Sequence, residues 1–133
     1  MKRDRIMPKD MTPPMGAYSH GYAVELGAAR LIFVTGQIPV DHKGELVSND
    51  VGEQTRFVFN RIKGILEEAG SSMRDVVKAQ VFLTDIDDFG TFTPIRDEFF
   101  AEAHPASTLV EVSSLVREGC KVEVEVIAIA NNE

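Results

Sequence analysis

The chain has 133 residues, 44% of them hydrophobic, which is enough for one domain with a buried core. Its 21 acidic and 14 basic side chains give a formal net charge of −7, which argues against sequence-independent binding of nucleic acid and against an anionic membrane surface. The one cysteine, Cys120, excludes an internal disulfide, and the lack of an apolar run of about 20 residues or of a signal-peptide core indicates a soluble, cytoplasmic protein.

The first 14 residues show no hydrophobic periodicity. They carry four basic and two acidic side chains and end in Pro13-Pro14. This composition predicts a flexible N-terminal tail, because nothing in it can bury an apolar face. The single folded domain is therefore expected to cover residues 15 to 133.

Two strands are predicted next. Residues 17 to 26 alternate loosely between polar and apolar, and Gly27 marks a turn. The segment Leu31–Thr35 is apolar on both faces, which indicates a strand covered on both sides. The simplest interpretation is a hairpin.

A long amphipathic helix follows. Asp50 is a candidate N-cap with Glu53 three residues later, the spacing of a capping box. Gly70 stands where a left-handed residue often ends a helix. Between them one apolar stripe recurs at steps of three and four residues. Its members are Val51, Thr55, Val58, Ile62, Ile65 and Ala69.

The second half of the chain repeats the alternation of strand and helix. Val76–Leu83 alternates like a strand, and a second apolar stripe then begins at Phe89. Pro94 interrupts that stripe, so either a short turn precedes a helix that starts at Thr93-Pro94, or one helix is kinked there. Two more strands are predicted. They are Ala106–Val112 and Lys121–Ala130.

The predicted order β-β-α-β-α-β-β describes an α+β two-layer domain, with two helices packed on one face of a mixed sheet. Such a sheet leaves its other face uncovered within one chain. The two-sided apolarity of Leu31–Val34 and Val126–Ile129 suggests that a second subunit covers it, so we expect an oligomer.

The last strand carries the first candidates for chemistry. Its even positions are apolar throughout, whereas its odd positions place Glu123 and Glu125 on one face with Ile127 and Ile129. A carboxyl at the rim of a partly buried space has a raised pKa and is suited to proton transfer near neutral pH. The alternative is a solvated sheet rim with no catalytic role.

Six segments taken in order carry a resemblance to a known family. They are Gly16–Ser19, Thr35–Pro39, Gln54–Gly70, Asp75–Leu83, Asp87–Phe89 and Val122–Ala128. They are similar to the Rid family, the reactive intermediate deaminases that are also called YjgF-like. The resemblance implies a chorismate-mutase-like subunit and a homotrimer with clefts between subunits. It also implies cofactor-free hydrolysis of small enamines and imines to a keto acid and ammonia.

The resemblance assigns roles to several residues. Glu123 corresponds to the glutamate that orients the attacking water, and Tyr18 to a tyrosine that lines the cleft. Thr35 and Gly36 keep the cleft-lining turn. The family's substrate-anchoring arginine is missing, because its Pro-Ala-Arg-Ser pattern is here Pro-Ala-Ser-Thr with Ser107 in the arginine's place. The predicted substrate-binding residues on this strand are Ser107, Thr108 and Leu109.

The missing arginine leaves two functions open. A serine hydroxyl supplies one neutral hydrogen bond, worth about 1 kcal/mol, which cannot replace a bidentate arginine on a 2-imino acid. The chain is then either a deaminase of other small enamines or imines, or a non-catalytic trimer that binds a small metabolite. Arg117, Lys121 and His104 are further candidates for the site. No spacing of ligands predicts a metal.

Overall fold

Six strands form one mixed sheet in the computed structural model, which describes residues 1 to 132. The strands are β1 (Arg3–Ile6), β2 (Gly21–Leu26), β3 (Ala29–Gln37), β4 (Val76–Leu83), β5 (Ala106–Glu111) and β6 (Val122–Asn131). The helices are α1 (Val51–Glu68) and α2 (Phe89–Phe99). The sheet order is β1-β2-β3-β6-β4-β5, and all neighbours are antiparallel except β4 and β5. The α+β two-layer fold with a mixed sheet is confirmed.

The N-terminal segment contains a strand that the sequence did not predict. Arg3–Ile6 pairs with β2, and Ile6 is only 5% exposed in the core. The prediction of a flexible tail over residues 1 to 14 is therefore wrong for these residues, and the order becomes β-β-β-α-β-α-β-β. Four residues are too few to show a period, and their charges suit an edge strand, so tertiary pairing rather than local pattern decides their structure.

Helix α1 begins and ends where its sequence indicates. The carboxylate of Asp50 accepts a hydrogen bond from the backbone N–H of Glu53 at 2.9 Å, and Gly70 has φ +79°. The reciprocal half of the capping box is replaced, because Glu53 bonds to the Ser48 hydroxyl and the Asp50 N–H donates to the same hydroxyl at 3.0 Å. These caps stabilise both ends of α1, and its apolar stripe packs onto the sheet.

Helix α2 resolves the two alternatives left open by Pro94. One helix runs through Pro94 from Phe89 to Phe99, after a short 3-10 turn at Ile86–Asp88. Aromatic contacts hold it against α1: the ring of Phe59 lies 6.0, 5.0 and 5.2 Å, centroid to centroid, from three phenylalanines of the second helix and its end. These are Phe92, Phe99 and Phe100.

The two faces of the sheet differ in composition. The helix-covered face contributes the even positions of β6 to the core. Residues 1 to 132 provide no cover for the other face, which exposes several large apolar side chains, as the two-sided apolarity predicts. They are Tyr22, Phe33, Val77, Val110 and Ile129. We call this surface the open face.

Replacing Ile6 tests whether β1 belongs to the folded domain. We expect Ile6→Ala to lower the free energy of unfolding by about 2 kcal/mol, because a buried isoleucine leaves a cavity in the core. Met15→Ala, at a position that is 97% exposed, is the control and should change nothing. Urea denaturation measures both. Equal urea-denaturation midpoints for Ile6→Ala and wild type would instead support the original prediction of a flexible N-terminal tail.

Candidate functional site

The carboxyl group of Glu123 lies directly against the backbone of Gly36. The ladder between β3 and β6 is irregular from Val34 to Gln37, and this bulge brings Gly36 under the Glu123 side chain. A Cβ atom at position 36 would overlap Oε2 of Glu123 and lie 3.0 Å from its Cδ. Only glycine leaves room for the carboxyl in this position.

Glu123 and Glu125 have different surroundings, although they share one face of β6. Glu123 is half-buried and pairs across the ladder with Phe82, whereas Glu125 is exposed and pairs with Gln80. Burial raises the pKa of Glu123, and the negative charge of Glu125 raises it further. Glu125 thus lies at a solvated rim, and Glu123 lies in the sheltered position that proton transfer requires.

Tyr18, Thr35 and Gly36 line one shared cavity of about 210 Å³. The Thr35 hydroxyl donates to the Ser19 carbonyl at 2.5 Å, and the Thr35 N–H donates to the His20 carbonyl at 2.9 Å. These bonds fix the segment that carries Tyr18 beside the end of β3. The structure therefore brings Tyr18, Thr35 and Gly36 together on the side where Glu123 lies.

Strand β1 contributes a residue that the sequence did not single out. The guanidinium of Arg5 donates to the Ser19 hydroxyl at 2.6 Å and to the Tyr18 carbonyl at 3.1 Å. Arg5 thereby ties the Tyr18 segment to the edge of the sheet. The sequence gives no signal for it, because Arg3–Ile6 shows no alternation of polar and apolar residues.

The predicted substrate-binding residues of β5 lie at the opposite edge of the sheet. Thr108 is on the open face, where its hydroxyl accepts from Lys78 Nζ at 3.2 Å. Ser107 and Leu109 are on the helix-covered face, because they pair with Ala79 and Val81 of β4, which are buried there. Strand β4 separates β5 from the Glu123 strand. One chain therefore does not place the β5 residues beside Glu123.

A second residue missed from the sequence lies near Ser107. A cavity of about 350 Å³ joins the end of α2 to the start of β5, and Arg96 lines it together with Ser107 and His104. Arg96 and Ser107 are eleven positions apart in the sequence and come together through the turn after α2. No local pattern predicts this pair.

Among the remaining candidates, the Arg117 side chain has a structural partner, whereas Lys121 is bonded only through its backbone. Arg117 donates to the Gly44 carbonyl, and the Lys121 N–H donates to the Gln54 side-chain oxygen at 2.8 Å. Cys120 is buried, and burial raises the pKa of its thiol, so it is a poor nucleophile. Among residues 1 to 132, no group of three or more His, Cys, Asp or Glu side chains is placed to hold a metal ion.

A larger cavity, of about 630 Å³, lies on the outer surface of α1 and contains none of the predicted site residues. Asp10 and Asp41 border it around Arg61, whose guanidinium donates to the Val40 carbonyl. Burial lowers the pKa of Arg61, and the two carboxylates oppose that shift. The charges of Arg61, Asp10 and Asp41 therefore offset one another. The larger volume of this cavity is not by itself a reason to regard it as the functional site.

Comparison with known proteins gives consistent matches over nearly the whole chain. The family model described as Endoribonuclease L-PSP matches residues 9–130. A RutC family protein of Pyrococcus abyssi is 43% identical over 129 residues, which cover 96% of this chain and 98% of that protein. A 2-iminobutanoate/2-iminopropanoate deaminase of Salmonella typhimurium is 39% identical over 118 residues, covering 86% of this chain and 88% of that protein.

The solved structures agree with the sequence comparison. The crystal structure of YyfA from Yersinia pestis, a protein of the conserved Rid family, superposes with a TM-score of 0.85 at 33% identity. The match covers 96% of this chain and 98% of that one. The chorismate-mutase-like architecture expected from the sequence is thereby confirmed. Within the described part of the chain, no helix has the length and apolarity needed to cross a membrane.

Proposed function

Because this chain belongs to the Rid family, also called the YjgF or RutC family, we propose that it is a cofactor-free hydrolytic deaminase of small reactive enamines and imines. One observation supports this most strongly: the half-buried carboxyl of Glu123, held over Gly36, has a raised pKa. The Salmonella relative named as an imine deaminase supports the reaction type. The net charge of −7 disfavours cleavage of RNA, despite the name of the family model.

The proposed reaction adds water to a carbon–nitrogen double bond and releases ammonia. The Glu123 carboxylate accepts a proton from water as the water oxygen bonds to the imine carbon, and the π electrons move to nitrogen. The carboxyl returns this proton to the nitrogen, which gives a carbinolamine. Glu123 then removes the proton of the new hydroxyl group and delivers it to the nitrogen as the C–N bond breaks, so that a carbonyl compound and ammonia leave. A carboxyl with a raised pKa both accepts and donates a proton closer to neutral pH. Tyr18 closes the cleft around the substrate and limits access of bulk water.

The proposed assembly is a homotrimer with its clefts between subunits. The open face exposes large apolar side chains, which a second copy would bury. The β5 residues, Ser107 and Leu109, and the catalytic Glu123 lie on opposite faces of the sheet. A substrate that touches both sets must therefore lie between two copies of the chain. We place this trimer in the cytoplasm, because the buried Cys120 is a free thiol, which is typical of a reducing compartment.

One observation favours a second function. Ser107 stands where the family arginine would grip a carboxylate, and this favours a trimer that binds a small metabolite without turning it over. In that case a ligand stabilises the protein but is not consumed. At a concentration about 100 times its Kd, such a ligand adds about 2.7 kcal/mol to the free energy of unfolding.

Replacing each of the two glutamates of β6 tests the deaminase. We expect Glu123→Gln to lower ammonia release from imines, generated in situ by an amino-acid oxidase or amine oxidase, by about 10²- to 10⁴-fold, the usual contribution of a positioned acid–base group. Glu125→Gln is the matched control, on the same face of the same strand, and should keep activity within about threefold.

Wild-type rates no higher than those of Glu123→Gln would contradict the deaminase. If thermal-shift screening of small acids, amides and aldehydes then identified a stabilising ligand, the binding trimer would take its place. Equal losses from Glu123→Gln and Glu125→Gln would show that the sheltered position has no special role.

Introducing a charged side chain on the open face tests whether this face forms the trimer interface. Light scattering of the wild type should give three times the chain mass of 14.7 kDa. Ile129, which is 46% exposed in one chain, would be buried in the trimer, so Ile129→Asp should yield monomers and dimers. Val116→Asp, at an exposed position in the loop between β5 and β6, is the control. A monomeric wild type would contradict the proposed assembly.

A further inference from the structure

A cavity with aromatic walls adjoins the cavity at the end of β3. Its volume is about 550 Å³, and the rings of Tyr18, Tyr22 and Phe33 line it. Tyr18 and Thr35 also line the 210 Å³ cavity that contains Gly36, so the two cavities meet at these residues. We call the larger space the aromatic pocket. A substrate held beside Gly36 therefore has an aromatic pocket next to it.

The register of the sheet places the aromatic pocket on the same face as Glu123. Tyr22 pairs with Phe33 across β2 and β3, and Phe33 pairs with Ile127 of β6. Paired side chains lie on one face of a sheet, and Ile127 and Glu123 are both odd positions of β6. Glu123 is about 13 Å from Ile127 along the strand, and Gly36 lies on β3 within that interval. The pocket is thus in line with the Glu123 carboxyl.

The three rings of the pocket are exposed in the single chain. Tyr18 is 49% exposed, Tyr22 36% and Phe33 42%. Exposed rings gathered around one cavity are typical of a ligand site, because an aromatic side chain gains free energy when its face is covered. The volume of the pocket is in the range of ligand sites and is larger than a short-chain imine requires.

Hydrogen bonds within the chain hold the rim of the pocket in place. The guanidinium of Arg5 donates to the Ser19 hydroxyl at 2.6 Å and to the Tyr18 carbonyl at 3.1 Å. The Thr35 hydroxyl donates to the Ser19 carbonyl. These bonds orient the Tyr18 segment and leave the rings as the principal contact surface. The pocket therefore has the chemistry to select a ligand by apolar contact rather than by charge.

We propose that the aromatic pocket binds the side chain of the substrate and selects imines and enamines that carry an aryl group. This inference rests on the proposed deaminase function and narrows its substrate class. The carbon of the C=N bond lies beside Glu123 and Gly36, and the aryl ring extends over Phe33 and Tyr22. Tyr18 covers the junction between the two cavities. In the proposed trimer, this part of the open face lines the cleft between copies.

Kinetics with an aryl imine and an alkyl imine test the pocket. An amine oxidase generates both in situ, one from phenethylamine and one from propylamine. The wild type should have a kcat/KM about tenfold or more higher for the aryl imine, because the pocket buries its ring. Phe33→Ala should remove most of this preference by raising KM for the aryl imine, with little change in kcat or in the rate on the alkyl imine. Val77→Ala, at a 43% exposed position of the open face outside the pocket, is the matched control.

Light scattering of the same variants separates substrate selection from assembly, because Phe33 lies on the open face. Phe33→Ala should have the mass of the wild type. If it changes mass or fails to fold, Tyr22→Leu replaces it and should give the same selective loss. Equal kcat/KM of the wild type for the two imines, or an equal loss on both in the variant, would overturn the pocket.

Binding of phenylacetamide separates this inference from the deaminase itself. This amide is an unreactive planar analogue of the aryl imine, and propanamide is its alkyl counterpart. Millimolar phenylacetamide should raise the melting temperature of the wild type but not of Phe33→Ala, whereas propanamide should affect neither. If no imine is hydrolysed and phenylacetamide still binds through Phe33, the deaminase fails and the pocket is supported. If imines are hydrolysed without aryl preference and phenylacetamide does not bind, the pocket fails and the deaminase stands. A wild type that neither hydrolyses imines nor binds phenylacetamide overturns both.

Discussion

The approach of the Glu123 carboxyl to the backbone of Gly36 is the constraint on which the rest of the site depends. The bulge in β3 brings the two together, and the absence of a side chain at position 36 makes the contact possible. Burial of the carboxyl against this turn then raises its pKa. The backbone bulge at Gly36 thus contributes to the raised pKa of the Glu123 side chain.

The geometry of the sheet divides the functional residues into two sets. Tyr18, Thr35 and Gly36 line one cavity at the end of β3, and the Glu123 carboxyl lies against Gly36. The edge strand β5 carries the other predicted substrate contacts. The apolar open face and the divided site lead to the same proposal, in which neighbouring copies complete each cleft. Assembly and catalysis would then depend on the same exposed surface.

Local sequence patterns predicted much of this fold, and the limits have physical causes. The capped ends of α1 at Asp50 and Gly70 and the uneven faces around Glu123 follow from spacing alone. The β1 strand was missed because four charged or apolar residues show no period, and only Ile6 enters the core. Arg96 was missed because its proximity to Ser107 comes from tertiary structure.

The pKa of Glu123, measured by ¹³C NMR of its side-chain carboxyl during a pH titration of the assembled protein, tests the central claim most directly. A value clearly above the ordinary glutamate value of 4.5 is expected, because burial beside Gly36 disfavours the charged form and Glu125 adds like charge. A value at or below 4.5 would place the carboxyl in open solvent and contradict its role as the acid–base group.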